Sequence, residues 1–172
     1  REAQRGTATG TVAYGIAWAD VSIDDKDVRA INDQSYGVIE SSVSESIVKQ
    51  WSEASIKAPI GDKHFPLILY ALCGTLTTTG TAGSGFTHTI TVQEGAQHQS
   101  LTLHLDDALG GQDYIHPLAV PTSLQINYER EKFLSYSTDF MAKTGSPQAV
   151  TGTVTAENRF LPQHVTFKYA TT

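Results

Sequence analysis

Six histidines give this sequence side chains that can bind a metal or carry a proton. Many zinc sites use two histidines one helical turn apart, but no pair here has that spacing and no cysteine cluster accompanies them. His88 falls on the apolar side of its segment, where a hydrogen-bonded core histidine is the more common role. The sequence therefore predicts neither a metal site nor a cofactor.

The adjacent carboxylates Asp106 and Asp107 are the other acid–base candidates. Neighbouring residues of a strand point to opposite faces, so they make a poor catalytic pair, and we interpret them as turn residues. Residues 83–85 read Gly-Ser-Gly but lack the strand and helix of a nucleophile elbow, and no GxxxxGK[ST] phosphate loop occurs. Cys73 resembles a small buried hydrophobe. We therefore predict that the chain is not an enzyme.

Length, charge and cysteine content narrow the class of protein. The 172 residues are in the single-domain range, and we expect residues 1–172 to form one domain. The formal net charge of −6 disfavours a tight grip on a phosphate backbone. The single cysteine excludes an intrachain disulfide, which fits a reducing cytoplasm. The longest apolar run, residues 66–74, is too short to cross a membrane, so we expect no membrane partner.

Alternation of apolar and polar residues is the main structural signal, because a strand with one buried face repeats every two residues. Five segments show it. We expect the first two to pair around residues 94–99, and the third and fourth to be joined by the charged turn 129–132. The five predicted strands are 86–92, 101–106, 123–129, 134–140 and 164–169.

Two further strands are predicted from weaker patterns. Apolar residues alternate from Val12 to Trp18, with a bulge or strand end near Ala19. Residues 45–58 fit both helical and alternating spacing, and the surrounding strands favour a strand here as well. The sequence thus predicts a mainly β fold.

One helix interrupts the strands, and two segments are predicted to be irregular. The helix covers about Phe65–Cys73, with Pro66 in its first turn and Gly74 just after its end. The irregular segments are the polar residues 24–37, between two strands, and the Gly/Thr-rich residues 75–85. Loops of this length inside a compact domain are usually functional.

Large side chains on the apolar faces of these elements, together with one histidine, are expected to form the core. Burial of the tryptophans would favour a structural protein over a binding module, in which exposed aromatic rings stack on the ligand. The predicted core residues are Trp18, Trp51, Leu69, Phe86, His88, Leu103, Ile126, Phe140 and Phe167.

Four motifs follow the predicted helix in a fixed order. The first is an aromatic-x-His-x-aliphatic strand. The motifs are Phe86, His88 and Ile90; Ser100 to Leu103; Val120 to Glu129; and Asp139 to Lys143. With the helix that ends at Gly74, this order resembles the major tail tube proteins of long-tailed bacteriophages, over roughly residues 45–170.

The resemblance implies an antiparallel, barrel-like β-sandwich with one short flanking helix. It also implies six copies that close into a ring, and rings that stack into the hollow tail tube of a virion, assembled in the host cytoplasm. A tape-measure protein would occupy the lumen during assembly, with tail terminator and tip proteins at the ends. Genomic DNA would then pass through without specific binding, which an acidic lumen suits.

The polar segment 24–37 lies where tail tube proteins carry the loop that contacts the next ring. Its mixed charges would set the register between rings. A solvated loop is the other interpretation of this segment. The residues expected at the ring-stacking interface are Asp24, Asp25, Lys26, Asp27, Arg29, Asn32 and Asp33.

Other functions fit the same composition. A β-sandwich carbohydrate-binding or adhesin module is the main alternative, with Trp18, Trp51 and Tyr114 as its stacking platform. The tube of a contractile injection machine would share the architecture and differ in what passes through the lumen. An esterase or glycosidase would need a pocket with two facing carboxylates.

Overall fold

The computed structural model describes residues 1–16, 20–32, 44–107, 109, 111–150, 152 and 156–166. It confirms the predicted mainly β class, with a curled antiparallel sheet and one α-helix. None of the described helices combines the length and apolarity needed to cross a membrane. The strands are β1 (Asp20–Asn32), β2 (Ser44–Pro59), β3 (Gly74–Thr81), β4 (Gly85–Val92), β5 (Leu101–Leu105), β6 (Tyr114–Asn127), β7 (Ser135–Ala142) and β8 (Ser146–Pro147); the helix is α1 (Phe65–Cys73), and a short 3-10 helix covers Pro162–His164.

The main sheet has six strands in the order β1-β2-β7-β6-β5, with β8 beside β6, and all its pairs are antiparallel. Strands β2 and β7 set its register, because Ala54 lies opposite Phe140 and Ala58 opposite Tyr136. These residues are buried, whereas the alternate residues of both strands face the other way. The sheet therefore has one buried face and one polar face.

Helix α1 lies on the buried face of the sheet. Pro66 occupies its first turn and Gly74 ends it with φ of 100°, a conformation that favours glycine. Its residues Ile68 and Ala71 are buried against the sheet, where two apolar clusters form the core. The buried members of the clusters are Ala54, Ile56, Ala71, Leu101, Ala119, Phe140 and Ala142 in the first, and Ala58, Ile60, Ile68, Leu134 and Tyr136 in the second.

Strand β6 bends, which lets the sheet curl. Its first half pairs with β5 and β8, and its second half pairs with β7. Leu118, between the halves, has φ of 58°, and the register shifts between Pro121 and Ser123. Proline cannot donate a ladder hydrogen bond, so Pro117 and Pro121 fit such breaks in the ladder.

The predicted helix 65–73 and strand 45–58 are confirmed, but both predicted loops are wrong. Residues 24–32 of the segment 24–37 belong to β1, and residues 33–37 lie outside the described residues. Residues 75–85 form most of β3, a tight turn and the start of β4. In both segments the mostly polar composition predicts a loop, but a strand exposed on both faces can be just as polar.

Several predicted strands differ in extent or in partner. The strand at 86–92 pairs with β3, and the one at 101–105 pairs with β6, so the two do not pair with each other as predicted. The predicted strand from Val12 is wrong over residues 12–16, which are irregular. At the other end His164 lies in a 3-10 helix, residues 165–166 are irregular, and residues 167–169 lie outside the described part of the chain.

The predicted core is confirmed only in part. Phe140 is buried, and three predicted core residues (Trp51, Leu69 and Leu103) are half-buried. Three others are exposed instead: Phe86, with 59% of its surface in solvent, His88 and Ile126. Alternation identifies which side chains share a face, but not whether another element covers that face. Trp18 and Phe167 lie outside the described residues.

Phe140 packs in the centre of the first cluster, so Phe140→Ala should lower the free energy of unfolding by about 3–5 kcal/mol. The neighbouring exposed Met141 provides the control, and Met141→Ala should change it by about 0.5 kcal/mol or less. Urea denaturation followed by circular dichroism at low protein concentration measures both. Equal losses in the two variants would contradict the assignment of the buried face.

Candidate assembly surfaces

Strands β1 and β2 extend beyond the sheet as a two-stranded arm. Strand β2 pairs with β7 only from Ser52 to Pro59, whereas it pairs with β1 from Ser44 to Lys57. We call residues 26–32 and 44–51 the arm. Residues 44–50 are all exposed, so this ribbon has water on both faces. A two-stranded ribbon without a packing partner is marginally stable at best.

The arm carries four exposed aliphatic side chains, distributed over its two faces. Val28 lies opposite Lys49 and Arg29 opposite Ile47, which leaves Val48 as the extra residue of a β-bulge. The four aliphatic side chains have 47% to 68% of their surface exposed. The register places Ile31 and Ile47 on one face of the ribbon and Val28 on the other, so exposed apolar side chains, which often mark contact sites, occur on both faces. The four residues are Val28, Ile31, Ile47 and Val48.

Apart from Asp33, the charged residues predicted for ring stacking lie in β1, and most are paired locally. The ammonium group of Lys26 hydrogen-bonds Asp24, and the guanidinium group of Arg29 bonds Asp27 and, at 2.5 Å, Glu45. These bonds raise the pKa of Lys26 and of Arg29. Exposed pairs of this kind contribute little to stability.

The remaining predicted stacking residues have different environments. Asp25 turns toward the buried Ser52 and hydrogen-bonds its hydroxyl group. Asn32 ends β1 and is half-buried, and Asp33 lies outside the described residues. The aliphatic residues of the arm are therefore the stronger contact candidates, and the sequence interpretation missed them. Apolar residues within an otherwise polar segment were the available signal.

The polar face of the main sheet is a second extended surface. Asp139 accepts a hydrogen bond of 2.6 Å from Ser123, and hydrogen bonds from Ser123 and Ser55 lower the pKa of its carboxyl group. Strands β1, β2 and β7 place four carboxylates and two lysines on this face. The charged residues are Asp20, Asp24, Glu53, Asp139, Lys26 and Lys57, and the serines among them are Ser22, Ser55, Ser123, Ser135 and Ser137.

Ser52, His116 and Asp25 are grouped like the members of a catalytic triad, but the hydrogen bonds run the wrong way. Ser52 Oγ bonds the Asp25 carboxylate and lies 3.2 Å from His116 Nδ1. Because the hydroxyl proton goes to an oxygen acceptor, the imidazole donates to Oγ and is not placed to act as its base. Both Ser52 and His116 are buried. We interpret the cluster as a set of hydrogen bonds that holds β1, β2 and β6 together.

A contact between the buried His64 and the half-buried Glu157 attaches residues 156–166 to the start of the helix. His64 Nδ1 lies 2.5 Å from Glu157 Oε2, and the backbone N–H of His64 donates to Glu157 Oε1 at 3.1 Å. Gly61 permits this contact, since a Cβ atom there would lie 1.7 Å from the carboxylate oxygen. Tyr136 packs beside His64 with ring centroids 5.7 Å apart, and its burial, followed by the charge of Glu157, raises the pKa of the phenol.

A buried carboxylate, that of Glu2, holds the N-terminal residues. Glu2 is 2% exposed and accepts hydrogen bonds from four donors. Burial alone would raise the pKa of Glu2, but the four hydrogen bonds outweigh it and lower the pKa below its usual value. The donors are the hydroxyl groups of Ser100 (2.5 Å) and Thr102 (3.1 Å) and the backbone N–H groups of Gly6 (2.6 Å) and Leu118 (2.7 Å).

In the binding-module alternative, Trp51 would stack on a sugar, but its ring is not a free aromatic surface. Its ring is half-buried, its Nε1 donates to Glu53 at 2.9 Å, and the Lys49 ammonium lies 4.6 Å from the ring centroid. Tyr114 is exposed and lies beside His116, with ring centroids 6.5 Å apart. Trp18 lies outside the described residues. A sugar stacking on Trp51 would have to displace the lysine.

The residues that the structure describes contain no group of three or more His, Cys, Asp or Glu side chains placed to hold a metal ion. No protein-family model, curated protein or solved structure matches the chain. The functional interpretation therefore depends on the arm, the polar sheet face and the hydrogen-bonded contacts of Ser52, His64 and Glu2.

The Glu2 carboxylate gives a prediction for pH. Its pKa is lowered by folding, so its contribution is present above the unfolded-state value of 4.5 and is lost as the pH falls through the lower folded value. Glu2→Gln should lower the free energy of unfolding at pH 7 by about 1–3 kcal/mol and flatten its fall below about pH 4.5.

Urea denaturation at a series of pH values measures this effect. Glu94→Gln, at an exposed carboxylate, is the matched control and should leave the curve unchanged. A Glu2→Gln variant with the unsubstituted protein's pH dependence would show that the four hydrogen bonds do not favour the ionised carboxylate.

Proposed function

We propose that this chain is a structural subunit that assembles with copies of itself into six-membered rings, stacked as the hollow tail tube of a bacteriophage. DNA would pass through the lumen on its way into the host. The observation that carries the proposal is the arm, a ribbon that leaves the sheet with both faces in water and four exposed aliphatic side chains.

The arm supports a role in assembly because it lacks a packing partner within its own described chain. Burying an aliphatic side chain contributes about 1.5–3 kcal/mol, so these residues, which lie on both faces of the arm, would contribute substantially where neighbouring copies cover them. The ion pairs of Arg29 with Asp27 and Glu45 stay within the arm, which leaves the aliphatic residues for the neighbour. The arm would therefore reach the next ring through Val28, Ile31, Ile47 and Val48.

The polar face of the main sheet supports a role as the wall of the lumen. It carries four carboxylates, two lysines and several serines, and the described part of this face has no arginine. Arginine binds phosphate in a bidentate manner, and clustered cations hold DNA tightly. An acidic, hydroxyl-rich wall would instead let DNA pass without adsorbing.

The sheet edges support closure into a ring. Strands β1 and β5 are the two ends of the strand order, and the sheet curls through the bend in β6. A free edge pairs readily with another strand, and pairing unlike edges of successive copies closes a ring when the rotation between them fits. In such a tube a tape-measure protein would fill the lumen during assembly, with terminator and tip proteins at the ends.

Assembly should depend on protein concentration and yield hollow particles, because each copy would supply and receive the same contacts. Negative-stain electron microscopy across a concentration series, together with sedimentation velocity, is the test. Rings with six-fold symmetry, or stacked rings, are the expected result. A monomer that persists at the highest concentration, with added tail terminator or tip proteins giving no particles either, would contradict the proposal and favour a binding module.

The arm has its own test within this experiment. Val48→Asp should raise the concentration needed for assembly by about tenfold or more, since a carboxylate would be buried without a partner. Leu109→Asp adds the same charge at a highly exposed leucine outside the arm and should leave assembly unchanged. Circular dichroism checks that both variants fold. Unaltered assembly of Val48→Asp would exclude the arm from the contact.

A further inference from the structure

The hairpin β3–β4 has two chemically different faces. Cross-strand pairs join Thr75 to Thr91, Thr77 to Thr89, and Thr79 to Thr87, so one face consists of threonines. The opposite face contains exposed apolar residues around a hydrogen bond of 2.9 Å between Thr78 and His88. The apolar residues are Leu76, Phe86, Ile90 and Val92, and Ile90 is the half-buried one among them.

This hairpin belongs to a long run of sequence without a formal charge. From His64 to Val92 the chain contains no Asp, Glu, Lys or Arg, although it has 18 acidic and 12 basic residues in total. The run covers α1 and both strands of the hairpin. Depletion of charge together with exposed aromatic and aliphatic side chains is typical of the centre of a protein interface.

Both edges of the hairpin are free within the described part of the chain. Strands β3 and β4 pair only with each other, and their base is fixed where Gln93 N–H donates to Cys73 O at 2.7 Å. Gly80 lets the two strands close near the turn, since a Cβ atom there would lie 2.2 Å from Gly85 O. Each outer edge therefore presents backbone donors and acceptors for another strand.

We infer that the β3–β4 hairpin docks on a second copy of this chain, with the outer edge of β4 in one copy pairing with the outer edge of β3 in the next. Successive hairpins placed side by side keep every strand pair antiparallel. They also continue the threonine face and the apolar face without interruption. The contact uses unlike edges, so it can repeat around a ring.

Charge identifies the second copy as the occupant. Copies of an acidic chain with a net charge of −6 repel one another. A contact between charge-free surfaces lets two copies associate without burying a carboxylate. The hairpin offers a foreign partner no charged group for recognition, whereas its own edges and faces match those of another copy. This inference rests on the proposed self-assembly and assigns it a lateral contact distinct from the arm.

Adjacent substitutions on the two faces test the docking. Phe86→Asp removes a large apolar side chain that would pack across the new strand pair on the apolar face and puts a carboxylate there, so it should raise the concentration needed for assembly by about tenfold or more. Thr87→Asp places the same group on the threonine face, one residue away, and should change it by less than about twofold. Sedimentation velocity measures both, with circular dichroism as the check on folding.

Hydrogen exchange of the unsubstituted chain provides a second, independent readout. Amides in β3 and β4 should become protected as the protein concentration rises through the assembly range, because the free edges gain partners. Assembly in which Phe86→Asp behaves normally and the hairpin amides stay unprotected would overturn the hairpin contact alone. Failure of the unsubstituted chain to assemble would overturn both this inference and the proposed function.

Discussion

The register between β2 and β7 is the constraint on which the rest of the structure depends. It places Ala54, Ile56 and Ala58 on the same face as Phe140 and Tyr136, and this face receives the helix. Burial of one face leaves the other to water, and the long β2 carries the arm beyond the end of β7. A slip of one residue would exchange the two faces along the whole strand. The core, the polar face and the arm therefore all depend on one register.

Surface chemistry divides the exterior into parts with different roles. On the polar sheet face and the arm, several charged side chains are paired locally. The exposed aliphatic residues of the arm continue the same strands, β1 and β2, beyond the end of β7, whereas the charge-free hairpin is a separate two-stranded sheet. Apolar contacts supply association energy, whereas charges mainly exclude wrong partners and orientations. This separation is what a subunit needs if it must adhere to its neighbours and not to a polyanion passing through.

Sequence patterns recovered the elements whose local signals agree with their tertiary setting. Pro66 and Gly74 delimit the helix, and the alternation at 134–140 corresponds to a buried and an exposed face of β7. The same alternation placed Phe86 and Ile126 in the core, where the structure leaves them exposed, because the pattern does not reveal what covers a face. The loop predicted at 24–37, of which residues 24–32 belong to β1, has a related cause, because a strand with water on both faces has no apolar period.

The hydrogen-bonded contacts of Glu2 and His64 could not be predicted, because they join residues far apart in the chain. Glu2 reaches Ser100 and Leu118, and His64 meets Glu157, with no local motif at either partner. Each is a hydrogen-bonded carboxylate in a site that admits little water, so removing one partner would leave a costly unpaired group. These contacts attach the N-terminal residues and residues 156–166 to the sheet without using the arm or the hairpin. A single copy can therefore hold its fold through them while the arm and the hairpin remain free for the contacts that we propose with other copies.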